Sequence, residues 1–124
     1  MAIRASREKR LVDLLMRTGM SRNLARTLVF LTAKGETTSV EIEKIAGMRQ
    51  PEVSISMKEL RRRGWVTKKD LKKEGKGRPL HAYRLVKPFH RIVKEIVAKE
   101  REKLEAVEED LNRLQQQAKA FSSQ

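Results

Sequence analysis

The sequence predicts a mainly α-helical chain with one small β-hairpin and a long C-terminal helix. Three observations carry this. First, two short helical segments are joined by the tight turn Gly47-Met48-Arg49, which makes a helix-turn-helix. Second, Trp65-Val66-Thr67 and Leu80 to Leu85 read as strands around a basic, Gly-containing loop from Lys68 to Pro79. Third, apolar residues recur at alternating spacings of three and four from Val93 to Phe121. A helix-turn-helix followed by a basic hairpin is the winged-helix arrangement. The fold class is therefore a winged helix-turn-helix plus a long C-terminal coiled-coil helix.

Taken in order, residues Ile3 to Thr18 form a first helix with Leu11, Leu14, Leu15 and Thr18 on one face, ended at Gly19. This reads as a packing helix. Ser21 caps the next helix, Arg22 to Lys34, and Gly35 stops it. Leu24, Leu28, Val29, Phe30 and Leu31 are expected in the core. Thr38 and Glu41 have the spacing of a capping box, opening a short helix with apolar Val40, Ile42 and Ile45 expected in the core and Gly47 as its stop.

The most informative stretch follows, Arg49 to Val66. Gln50 or Arg49 caps a helix with Pro51 at its first position, where a missing N–H costs nothing. Val53, Met57 and Leu60 form the inward stripe, and Gly64 ends the helix in a left-handed conformation. The other face carries Gln50, Ser54, Lys58, Arg61 and Arg62. Small polar groups near the N-terminus can read base edges in a major groove, and cations near the C-terminus can meet phosphates. A basic surface helix with no partner has the same composition, and the helix alone leaves both open.

The hairpin favours the groove. From Arg61 to Arg84 there are ten cations and two acids, a net of +8, which no core requires. Lys72, Lys73 and Lys76 are placed to meet phosphates and Arg78 to enter the minor groove or its edge. A solvated hairpin tip is the bland reading.

The last helix is expected from about Pro88 to Ala120. Val93, Val97, Leu104, Val107, Leu111, Leu114, Ala118 and Phe121 make a heptad seam over about four repeats, with Glu100 its one polar break. Such a helix is roughly 50 Å long, too long for so small a domain to cover. The same helix from a second chain is its simplest partner, parallel or antiparallel. Between Glu100 and Arg113 six acids face three cations, so this segment does not face nucleic acid. His90 falls on an a-like position and is expected to be buried or interfacial. His81 is expected to pack or to touch a DNA edge.

The pattern Gln50-x-x-Val53-Ser54-x-x-Met57-x-x-Leu60-x-x-x-Gly64-Trp65-Val66 resembles the recognition-helix signature of winged-helix transcription regulators, closest to the ArsR, MarR and TrmB-like groups. Gly75-Lys76-Gly77-Arg78-Pro79 with Tyr83-Arg84-Leu85 resembles the wings of small archaeal regulators of this kind. The resemblance covers roughly Ser21 to Leu85 and implies double-stranded DNA as the partner. It also implies a second job for the first helix, through Leu11 and Leu15, in a dimer contact.

Composition sets the bounds. In 124 residues the net charge is +13 and the pI about 10.5, which points to a polyanion, with nucleic acid ahead of an anionic membrane surface. No apolar run suits a membrane span and no secretory signal is visible, so the chain is expected in the cytoplasm on the nucleoid. With no cysteine there are no disulfides and no thiolate metal site, which excludes thiol-based metal sensing. The only histidines, His81 and His90, do not form a zinc-ligand pair. No phosphate-cradling glycine loop, nucleophile elbow or catalytic carboxylate pair is present, so no enzyme, cofactor, metal or small-molecule effector is expected. Only five aromatics are present, which disfavours a stacking platform for RNA.

These readings give a DNA-binding domain over 1–87, including the packing or dimer helix 3–18, and a dimerisation helix over 88–124. The expected function is a homodimeric, sequence-specific transcription regulator whose recognition helices enter major grooves about one helical turn apart. The expected DNA contacts are Arg49, Gln50, Pro51, Glu52, Ser54, Ile55, Lys58, Arg61, Arg62, Lys72, Lys73, Lys76 and Arg78. Glu52 could accept from cytosine, and Ile55 could touch a thymine methyl if exposed. The expected dimer contacts are Leu11, Leu15, Val93, Val97, Leu104, Val107, Leu111 and Leu114. An architectural protein that coats DNA without a preferred site is the first alternative. A protein-interaction adaptor of the transcription machinery is the second.

Overall fold

The computed structural model describes residues 2–71 and 80–123. In chain order the elements are α1 (Ala2–Arg17), α2 (Arg22–Lys34), β1 (Thr37–Thr38), α3 (Ser39–Ala46), α4 (Gln50–Arg62), β2 (Val66–Leu71), β3 (Leu80–Leu85) and α5 (Phe89–Ser122). They fall into two compact units, Met1–Ile92 and Val93–Gln124.

In the first unit local signals set most element ends. Ser21 Oγ accepts from the Leu24 N–H and opens α2. Thr38 Oγ1 accepts from the Glu41 N–H at 3.3 Å while the Glu41 carboxylate accepts from the Thr38 N–H at 3.4 Å, which completes the capping box of α3. Thr38 also has a second role. With Thr37 it forms β1, which pairs antiparallel with β3 through Thr37–Tyr83 and Thr38–Ala82. The sheet is three-stranded in the order β1-β3-β2, so β3 is central. The sequence indicates only β2 and β3, because a strand of two residues has no periodicity of its own. β2 is also longer than expected: Lys68 to Leu71, read as loop, pair with β3 in register from Lys68–Tyr83 to Leu71–Leu80.

The core lies where α2, α3 and α4 meet the sheet. Leu28, Ile42, Val53 and Leu60 are fully enclosed, with Leu24, Leu31, Met57, Trp65, Val66, Ala82 and Tyr83 around them. Leu15 of α1 and Ile92 of the first turn of α5 join them. Two expected core residues are not there: Val40 is 43% exposed and Ile45 is 54% exposed. In α3 the inward stripe is set by Ile42 and Ala46, one turn apart. This puts Val40 on the far side and Ile45 beyond the stripe's edge. Phe30 is only half-buried, and Leu14, expected to face inward beside Leu15, stands exposed. His90 is exposed rather than buried.

The second unit is the remainder of α5, a 34-residue helix in all. From Arg101 onward every described residue is exposed, including Leu104, Val107, Leu111, Leu114 and Phe121. No helix among the described residues is long and apolar enough to cross a membrane.

Candidate nucleic-acid interface

The turn between α3 and α4 sets the direction of α4. Gly47 sits at φ 63, ψ 35, where a Cβ would meet its own backbone, and its N–H bonds the Glu43 carbonyl. Met48 follows with its N–H on the same carbonyl and its side chain buried. Arg49 is the cap residue, in extended conformation, but its side chain makes no capping bond. Gln50 is the first helical residue, so Pro51 sits second rather than first as expected. At the other end the Trp65 N–H reaches back to the Leu60 carbonyl and the Gly64 N–H to Arg61, with Gly64 at φ 78. The helix is thus stopped where a glycine was expected to stop it.

Burial divides α4 into two faces. Val53, Ser56, Met57 and Leu60 are enclosed against the rest of the domain. Arg49, Pro51, Ser54, Ile55, Lys58, Arg61 and Arg62 are exposed, and Gln50 is half-buried. Ile55 is 70% exposed, which settles the open question of its helical angle.

Two expectations for this face change. Glu52 is half-buried and accepts a hydrogen bond from Asn23 Nδ2 of α2 at 3.1 Å. Its carboxylate ties α4 to α2, so one oxygen is already engaged. Arg62 is not a free cation. Its Nε and Nη2 donate to both oxygens of Glu59 at 2.9 and 2.6 Å, and Arg63 Nε donates to the same carboxylate at 2.9 Å. The hydrogen bonds from Arg62 and then Arg63 hold the Glu59 carboxyl at about 2, well below the usual carboxylate range. Glu59 raises Arg62 in turn, chiefly through the same hydrogen bond. The sequence reading missed Glu59, although its spacing of three and four from Arg62 and Arg63 is the signal for such pairs. Arg63 also lies over the Trp65 ring, 5.1 Å from its centroid. Among the described residues no carboxylate pairs with Lys58 or Arg61.

The arms of the hairpin extend this basic surface. Lys68 and Lys69 of β2 and Arg84 of β3 are exposed. Asp70 Oδ1 lies 2.7 Å from His81 Nδ1 directly across the ladder, an ion pair when the imidazole is protonated. His81 therefore faces a carboxylate instead of packing inward. The expected phosphate contacts Lys72, Lys73 and Lys76 and the minor-groove residue Arg78 lie outside the described residues. Tyr83 is buried beneath the sheet, and burial pushes its hydroxyl above the ordinary value.

Of the expected dimer residues, Leu15 is buried within its own fold and Leu11 and Val93 are half-buried. Leu15 therefore has little surface left for a partner. Val97, Leu104, Val107, Leu111 and Leu114 are exposed. No group of acidic or histidine side chains among the described residues could hold a metal ion.

Residues 18–77 match the model of the MarR family. The span covers the helix-turn-helix, β2 and the start of the hairpin. No curated protein matches the chain. Among solved structures, the archaeal chromatin protein TrmBL2 is similar at 20% identity and a TM-score of 0.65, over 89% of this chain and 41% of that one. The chain thus spans less than half the length of that relative. The multiple antibiotic resistance repressor MarR is similar at 17% identity and a TM-score of 0.51, over 82% of this chain and 72% of that one. A MarR-family transcription regulator is similar at 20% identity and 0.50, over 84% of this chain and 65% of that one. By its helix order, its hairpin and these likenesses, the chain has the winged-helix fold, with residues 18–77 similar to the MarR family.

Proposed function

We propose that the protein is a homodimeric, sequence-specific transcription regulator acting on double-stranded DNA of the nucleoid. The observation that carries this is the exposed face of α4. Gln50, Ser54 and Ile55 offer a hydrogen-bonding and apolar surface near its N-terminus, and Lys58 and Arg61, paired with no carboxylate among the described residues, offer positive charge near its C-terminus. The first group reads base edges: Gln50 suits adenine, and Ile55 meets a thymine methyl. Lys58 and Arg61 hold phosphates and fix the register, with Arg62 sharing its charge between Glu59 and the backbone. Lys72, Lys73, Lys76 and Arg78 in the wing add phosphate and minor-groove contacts. The exposed seam of α5 joins two chains, so two recognition helices act on one two-fold site.

The test is selection on randomised duplex DNA at near-physiological salt, followed by sequencing. An enriched site made of two inverted half-sites is the expected result. Tight binding without enrichment replaces this reading with that of an architectural DNA-coating protein. No binding moves the function to the long helix and a protein partner.

A further inference from the structure

The exposed seam of α5 also carries information about direction. We infer that α5 pairs with α5 of a second copy in antiparallel register, with Leu104 of each chain stacked on the partner's Val107. This rests on the homodimer proposed above and specifies its geometry.

Val97, Leu104, Leu111 and Ala118 occupy a positions and Val93, Glu100, Val107, Leu114 and Phe121 occupy d positions. The flanks are charged: Arg101 and Glu108 at e, Lys103 and Asp110 at g. All of Arg101, Lys103, Leu104, Val107, Glu108, Asp110 and Leu111 are exposed. In a parallel pair each d residue faces its own copy, so Glu100 meets Glu100 in the seam. The flanks then supply one kind of favourable contact, Lys103 with the partner's Glu108, twice by symmetry. In an antiparallel pair a faces d, g faces g and e faces e. The register that stacks Leu104 on Val107 sets Glu100 against Leu111 and opposes no two carboxylates. It brings Lys103 to the partner's Asp110 and Arg101 to the partner's Glu108, each twice by symmetry. Sliding by one heptad either way is unfavourable. One slide opposes Glu108 to itself and Asp110 to itself, and the other does the same to Arg101 and Lys103.

Because the chain has no cysteine, introduced thiols report on pairing alone. Glu100→Cys, Leu111→Cys and the double variant are oxidised mildly and run on non-reducing gels, with the mass of each measured by sedimentation. In the inferred register residue 100 faces the partner's 111. Two copies of either position lie eleven residues apart along the axis, about 16 Å. Disulfide geometry does not span that. The expected result is a covalent dimer from the double variant and none from either single one. A covalent dimer from Leu111→Cys alone means parallel pairing and overturns the inference. A dimer by sedimentation with no covalent product from any variant places the interface elsewhere and also overturns it, while homodimerisation stands. A monomer by sedimentation for the unaltered chain removes the homodimer itself. Charge exchange gives a second readout on intact cores. Arg101→Glu should weaken self-association about ten-fold, and Arg101→Glu with Glu108→Arg should restore it. Failure of that rescue counts against the register.

Discussion

At the scale of the residue, the proposed function divides the exposed face of α4 into groups that would read sequence and groups that would only supply charge. Gln50→Ala removes a base-edge group on a half-buried side chain. Selection on random duplexes should show the preference lost at one base pair per half-site, worth about 1–3 kcal/mol of discrimination, with binding to other sequences nearly unchanged. A uniform loss on all sequences would assign Gln50 to the backbone instead. Arg61→Ala is the contrasting change. It should weaken binding to every sequence alike and reduce the slope of log affinity against log salt by about one for each recognition helix. Glu59 gives a prediction of the opposite sign. Its carboxylate draws on two guanidinium groups that stand next to the exposed face of α4. Glu59→Gln should therefore release positive charge, raise affinity without changing sequence preference, and steepen the salt dependence. The same pair has a pH signature. The folded-state Glu59 is depressed to about 2 from 4.5, so its contribution to stability is complete above the unfolded value. That contribution is lost as pH falls from about 4.5 towards 2. Thermal unfolding of the Glu59→Gln variant should approach that of the parent chain across this window, whereas the two differ at neutral pH.

At the scale of the element, helix ends were legible because their signals are local and chemical. Thr38 with Glu41, Ser21 with Leu24, and Gly64 after Leu60 are complete within one turn of chain, and the structure has each of them. β1 was not legible, because Thr37 and Thr38 become a strand only by meeting Tyr83 and Ala82, distant in sequence. The burial of Val40 and Ile45 was misread for a related reason. Eight residues allow two turns, too few for apolar spacing to fix which side turns inward. Within the candidate site, Ser54, Lys58 and Arg61 could be placed by helical angle alone. The engagement of Glu52 depends on Asn23 in another helix, which no local pattern contains. The buried side of α4 should be the less tolerant one. Leu60→Ala, at a fully enclosed position, should destabilise the domain by about 2–5 kcal/mol in chemical denaturation. Thr38→Ala should cost about 1 kcal/mol by removing the cap of α3.

At the scale of the whole molecule, charge and apolar surface are segregated along the chain. The positive excess gathers between Arg61 and Arg84, and the acids gather between Glu100 and Arg113, beside the exposed seam. A small domain with one recognition helix gains only modest affinity from its own contacts. Two domains held together gain more, because the second binds at the effective concentration set by the first. The seam should therefore matter to DNA binding although it touches no DNA. Leu111→Glu tests this. The position is exposed, so the variant folds as a single chain, but a carboxylate in the seam opposes pairing. Sedimentation should show a monomer, and affinity for a two-half-site duplex should fall about a hundred-fold, towards that of one half-site. Binding to an isolated half-site should be unchanged, because α4 and the hairpin are untouched. A variant that is monomeric yet binds the full site as tightly as the parent would show that the domains act one at a time and that the long helix serves something other than the DNA.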